Sequence, residues 1–187
     1  MILSKLDIEE ELRKGHLVIR NKRDGGPEFD DVEPGDPRIQ QASIDLRLDF
    51  RFRRPKVGPQ AIILDLVQGL DTDDFYEERA ETAIELRPSD FILGWTAEAI
   101  SVPNHLCGWI EGRSGTARSG LVIHFTAPHI APGFGLAEPQ RIQLEIANLS
   151  RFTLRLTPGM GIAQLILMRL ASPVNQGYAG RFAEQAP

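Results

Sequence analysis

Apolar and polar positions alternate along one long segment and recur as short strand-like runs in the second half of the chain, while the start of the chain reads as a helix. Ser4–Gly15 is the helical exception: Ser4 can cap, acids crowd the first turns, bases follow and Gly15 ends it. Residues 21–41 are rich in Gly, Pro and Asp and predict a surface loop. Ala42–Phe52 alternates strictly and predicts a half-buried strand. Residues 64–83 are acidic and weakly periodic, which predicts an irregular excursion with at most a short helix. Strand-like runs then follow at Phe91–Leu93, Ala97–Ser101, Cys107–Glu111, Leu121–Phe125, Arg141–Ala147, Phe152–Leu156 and Gly161–Arg169. Pro88–Asp90, Pro103-Asn104, Pro132-Gly133 and Pro158-Gly159 punctuate them as turns. Many short strands with few helices predict a mainly β fold, a sandwich or barrel. Residues 1–171 read as one β domain, and the polar, Gly-rich residues 172–187 as a tail that orders only against a partner or ligand.

Composition narrows the function classes. The 187 residues suffice for a single core. With 26 acidic and 21 basic residues the net charge is -5, which argues against a general nucleic-acid binder. No apolar run reaches a membrane span and the first residues lack signal-peptide character, so no membrane partner and a cytoplasmic setting are expected. The single cysteine, Cys107, excludes an intrachain disulfide and any zinc site built on several thiolates.

Two features carry candidate chemistry. Arg113 and Arg118 flank Ser114, Gly115, Thr116 and Ala117. Guanidinium forks, hydroxyl donors and a close backbone approach suit a polyanion such as a triphosphate. The plainer reading is a basic turn between strands, and the segment is no Walker loop. The second feature is Glu145, which sits among Ile142, Leu144 and Ile146. It is either a general base with its pKa set by its surroundings, or a glutamate in a salt bridge to Arg118 or Arg141. His16, His105, His124 and His129 show no metal-ligand spacing, and supporting roles are expected for His124 and His129. No Gly-x-Ser-x-Gly elbow occurs.

Taken in order, Met1–Ile8, Gln41–Leu48, Phe91–Glu98, Cys107–Leu121, Val122–Ala127, Pro132–Phe134, the Glu145 strand, Pro158–Leu165 and Gly180–Gln185 resemble the dCTP deaminase family, within the trimeric dUTPase superfamily. The resemblance implies a distorted β-barrel or jelly-roll with a short N-terminal helix and a C-terminal lid. It also implies a homotrimer with sites at the subunit interfaces. The implied reaction is zinc-independent hydrolysis of dCTP, or a related cytosine nucleotide, to dUTP and ammonia. The bifunctional alternative gives dUMP and pyrophosphate, and a catalytically impaired nucleotide-binding paralogue is a third reading. Zinc deaminases carry His-x-Glu and Pro-Cys-x-x-Cys signatures, both missing here.

By resemblance Glu145 is the general base and acid, helped by Ser114, Arg118 and the backbone at Ala127. Arg113, Ser114, Gly115, Thr116, Ala117 and Arg118 line the nucleotide site. The backbone from Gln143 through Leu144 reads the base, Ala131 and Phe134 belong to the sugar turn, and Arg181 and Gln185 close over the triphosphate. Mg2+ arrives through the phosphates, with no protein metal site and no zinc.

The chain departs from the family pattern at several places. Ala131 stands where an aspartate usually precedes Pro-Gly, and Gly115 replaces a serine. Residues 136–140 form an insertion, and Arg181 and Phe182 replace a lysine and a tyrosine in a tail shorter than usual. The glycine-rich C-terminal loop of dUTPases is absent.

Overall fold

The computed structural model describes residues 1–21, 31–56 and 72–177. The helix α1 spans Lys5–Arg13. Ser4 and Asp7 cap it reciprocally, a capping box of a kind that contributes about 1 kcal/mol. Gly15 leaves the helix at φ +68°, a left-handed value that glycine adopts without a Cβ penalty. Ile8 is buried on the inner face of α1, and the amide of Leu3 donates to Leu167 O, so the N-terminus lies along the sheet.

Eleven strands occur among the described residues: β1 (Val18–Asn21), β2 (Ile44–Pro55), β3 (Tyr76–Ala80), β4 (Ile84–Leu86), β5 (Phe91–Ser101), β6 (Leu106–Gly112), β7 (Leu121–Val122), β8 (His129–Ile130), β9 (Gln140–Asn148), β10 (Leu154–Leu156) and β11 (Gly161–Arg169). One sheet runs β7-β9-β5-β2-β11-β6-β8, with β1 added on β5 and β3 on β2. It curls into a half-barrel, the mainly β architecture expected from the alternation. β10 and β4 form a separate two-stranded ribbon, joined to β9 by Asn148, whose Nδ2 donates to Leu86 O at 2.9 Å.

The core is one cluster of buried side chains shared by the strands of this sheet. Ile44, Leu46, Leu48 and Phe52 of β2 meet Ile92 and Ile100 of β5 and Leu165 and Leu167 of β11 there. β5 is buried along nearly its whole length because it has strands on both edges.

Several expectations need correction. Phe91–Leu93 and Ala97–Ser101 are one strand, continued through an irregularity between Trp95 and Ala99 opposite β9. Thr96 Oγ1 mends the ladder there, donating to Glu98 O at 2.7 Å and accepting from Ile142 N at 3.0 Å. The expected strand Leu121–Phe125 stops at Val122. Residues 31–41 are no mere surface loop, since Val32 and Ile39 are core residues. The 64–83 excursion holds the one-turn helix α2 (Thr72–Phe75) and β3, while its residues up to 71 lie outside those described.

A buried charge cluster pins this region to the sheet. Glu98 accepts from Arg47 N and Nε, both at 2.8 Å, and from Arg38 Nη1 at 3.3 Å. Arg38 also binds Asp36 through Nε at 2.9 Å and Nη2 at 2.6 Å. These hydrogen bonds hold the Asp36 carboxyl below its ordinary 3.8. A carboxyl depressed on folding stabilises the fold above its unfolded value, and that contribution is lost as pH falls through the folded one. Asp36→Asn is therefore expected to cost about 1–2 kcal/mol at pH 7. In urea unfolding series, the gap from wild type should close only below pH 3.8.

Candidate functional site

β6 delivers the chain to Arg113, whose backbone is still extended. The next four residues wind into the one-turn helix α3 (Ser114–Ala117), closed by Ala117 N→Arg113 O at 2.9 Å and Gly120 N→Ala117 O at 3.0 Å. Small residues with short hydroxyls allow this tight winding. The Thr116 hydroxyl turns inward and donates to Arg113 O at 3.0 Å, so it serves the turn itself.

The two arginines differ in setting. Arg113 Nη2 lies 3.2 Å from Asp45 Oδ2 of β2, and its guanidinium covers Gly161 of β11 so closely that a methyl there would overlap it. Arg118 is exposed, as are Ser114, Gly115 and Ala117. Neither the Arg118 guanidinium nor the Ser114 hydroxyl has a side-chain hydrogen bond or ion pair among the described residues. One arginine is thus held in place by β2, and one is available to an incoming anion.

Glu145 stands on β9, opposite Leu93 of β5, and is half-buried. Its Oε2 accepts from Phe125 N at 3.2 Å. The alternative of a salt bridge to Arg118 or Arg141 is not met, since no ion pair to Glu145 occurs among the described residues. Arg141 is buried and pairs with Asp49 Oδ2 at 3.4 Å instead. β7 ends early, just before the Phe125 N–Glu145 contact. After Val122↔Ala147 the chain leaves the ladder and turns the Phe125 amide toward the carboxylate.

This departure leaves a backbone edge open. β7 pairs with β9 only at Ala147 and Asn148. From Gln143 to Glu145 the edge of β9 away from β5 has no strand partner among the described residues. Amides and carbonyls there can meet a planar hydrogen-bonding ligand beside the carboxylate. The Gln143 side chain is half-buried, whereas the Leu144 side chain belongs to the core, so only the backbone of Leu144 can take part. Ala127 is exposed in the segment after Phe125.

The Ala131–Phe134 turn is clamped to the end of β5 by Val102 N→Phe134 O at 2.8 Å and Gly133 N→Val102 O at 3.1 Å. Phe134, expected in the sugar turn, packs into the core and is 7% exposed. Ala131 is half-buried and offers no carboxylate. Residues 136–138 of the expected insertion form an exposed bend, and Pro139 leads into β9. Arg181 and Gln185 lie outside the described residues.

Sequence reasoning missed Asp45 as the partner of Arg113, because the contact joins positions 68 residues apart. It also missed Glu111, which accepts from Trp109 Nε1 at 3.1 Å and faces His124 Nε2 at 3.4 Å, placing His124 in a supporting role near Phe125. No helix of the described residues is long and apolar enough to cross a membrane.

Comparison with known proteins agrees with this geometry. The dCTP deaminase-like family matches residues 2–170. A dCTP deaminase of Halorubrum lacusprofundi is 35% identical over 184 residues, covering 95% of this chain and 82% of that protein. A dUMP-forming dCTP deaminase of Streptomyces coelicolor is also 35% identical over 184 residues, covering 95% of this chain and 85% of the relative. The crystal structure of 2'-deoxycytidine 5'-triphosphate deaminase from Agrobacterium tumefaciens superposes with a TM-score of 0.60 at 17% identity. That alignment covers 89% of this chain and 47% of the other, and it shows a shared fold. On the match across nearly its whole length, this chain belongs to the dCTP deaminase-like family.

Proposed function

We propose that the protein hydrolytically deaminates dCTP, or a closely related cytosine nucleotide, with Glu145 moving the proton. The observation that carries this reading is the half-buried carboxylate that has no cationic partner among the described residues, beside an edge of β9 that no described strand covers. Cytosine is planar with hydrogen-bonding groups along one edge, which suits exposed strand backbone. Glu145 takes a proton from water as the oxygen adds to C4 of the ring. The carboxyl then gives that proton to the exocyclic amine, the C4–N bond breaks and ammonia leaves, while the C4 hydroxyl passes its proton to ring N3 as the C4 carbonyl forms. Phe125 N fixes one carboxylate oxygen, which leaves the other for water.

Arg113, Ser114, Gly115 and Arg118 take the phosphates, assisted by Arg181 and Gln185. Arg118 and Ser114 are exposed and have no side-chain partner among the described residues, which supports completion of the site across the interface of a homotrimer. Exposed Leu149 and Phe152 supply apolar area for such a contact. Mg2+ enters with the triphosphate. The described surroundings of α3 fit this: the carboxylate of Asp45 is engaged by Arg113, and guanidinium and hydroxyl groups address phosphate oxygens rather than a cation.

The name of the Streptomyces relative supports a second reading, in which phosphate hydrolysis follows and dUMP is released. Ala131 removes the carboxylate expected to orient water for that step. Purified protein with Mg2+ and dCTP separates the readings. Ammonia without pyrophosphate gives dUTP as product, and equal amounts of the two give dUMP. Absence of ammonia from dCTP, CTP and dCMP alike would overturn the deaminase reading.

Arg113 can be tested without touching it. In Gly161→Ala the added methyl displaces the tip of a flexible side chain rather than backbone. The fold should hold, while KM for the triphosphate should rise about tenfold, the loss of one charge-assisted phosphate contact. Steady-state kinetics with a parallel melting curve check both halves.

A further inference from the structure

At the end of β6 opposite to α3, the fold gathers three groups that sequence spacing keeps apart. Glu11 lies on the inner face of α1 and is 3% exposed. His16 follows the helix, and His105 precedes β6. Glu11 Oε2 is 3.1 Å from His16 Nδ1 and 2.9 Å from His105 Nε2. One ligand atom from each residue lies within 4.8 Å of the others. The imidazoles meet edge-on, with centroids 5.4 Å apart and planes at 81°, so both nitrogens converge on one carboxylate oxygen. The second oxygen, Oε1, receives Arg169 Nη2 at 2.7 Å.

We propose that Glu11, His16 and His105 form a structural site for one Zn2+ per chain, with water as the fourth ligand. Two imidazoles and a carboxylate are a well-matched donor set for zinc. Bonds of about 2.0–2.1 Å in a tetrahedron hold ligand atoms about 3.3 Å apart, so the 2.9 and 3.1 Å separations open by a few tenths of an ångström while the two imidazole nitrogens, within 4.8 Å of each other, draw in around the ion. Arg169 holds the oxygen that does not ligate, the supporting contact that fixes a ligating carboxylate. His16 is half-exposed and gives the ion a way in.

The site is remote from the proposed chemistry. His105 lies just before β6 and Arg113 just after it, and a strand of that length spans about 20 Å. Its place indicates a clip. Leu170 N donates to His105 O and Val174 N to Asn104 O, both at 3.0 Å, so the chain leaving β11 rests on the same turn. An ion there ties α1 to the root of the C-terminal segment.

The test uses the full chain, stripped with a chelator and titrated with Zn2+ by calorimetry. One site per chain is expected, with protons released on binding. At zinc 100-fold above its Kd, Tm should rise by about 5–10 °C. His16→Ala and His105→Ala should abolish both effects, whereas His129→Ala, at an exposed position of β8, should keep them. The half-exposed His16 carries the test if His105→Ala fails to fold. No saturable binding, an isotherm unchanged in His16→Ala, or an equal Tm shift with Mg2+ would overturn the proposal.

Discussion

Glu145→Gln is expected to lower turnover of dCTP by about 10²–10⁴-fold, the span of general acid–base catalysis. Glutamine keeps the size of the side chain and an oxygen that can accept from Phe125 N, the hydrogen bond this residue makes at 3.2 Å. It cannot take a proton from water. The residue is half-buried and carries no ion pair among the described residues, so stability should stay within about 0.5 kcal/mol of wild type. Nucleotide affinity should survive too, because the open backbone edge of β9 is untouched. Ammonia release at saturating dCTP, with binding measured by calorimetry, separates the two effects. A variant within tenfold of wild-type turnover would remove Glu145 from the chemistry. A variant that no longer binds would make it a recognition group.

What the chain discloses by itself follows from the range of the forces involved. α1 was legible because Ser4, Asp7 and Gly15 act within a few residues. β2, β6, β9 and β11 were legible because each has a face in the core, and alternation records that directly. β3 left no such record: it is almost wholly exposed, with charged residues such as Glu78, which faces Arg53 of β2 across the pair. A strand defined by its neighbour rather than by burial carries little pattern. The apparent break at Gly94–Thr96 misled for the opposite reason. The Thr96 hydroxyl supplies from a side chain what the irregular ladder lacks, so β5 runs on.

The same division holds in the site. Residue types at 113–118 and 145 suggested anion and proton chemistry, which remains a proposal. Their partners did not follow, because Asp45 with Arg113, and Phe125 N with Glu145, meet only through the sheet. The histidines show the limit most sharply. His16 and His105 have no ligand spacing along the chain, yet both reach Glu11.

Gly135→Ala is expected to destabilise the protein by about 3 kcal/mol, lowering Tm by about 6–12 °C. The residue sits at φ +66°, where an alanine costs about 1–2 kcal/mol from its own Cβ. The new methyl would also overlap the carbonyl oxygen of Ile100 and come within 3.1 Å of Gln140 N. Both are backbone atoms at the margins of β5 and β9, so no side-chain rotation relieves the contact. The cheapest relief moves the turn, and with it Phe134 O and Gly133 N, which clamp it to Val102. That turn carries Ala131 toward the expected sugar position, so activity should fall along with stability. Leu136→Ala, at an exposed neighbour on the 136–138 bend, should leave both near wild type. Urea unfolding with dCTP and CTP kinetics on the two variants checks this. Loss of stability without a change in sugar preference would make the turn a strut of the fold. A change in the dCTP-to-CTP ratio would show that backbone placement still discriminates the sugar where the carboxylate has gone.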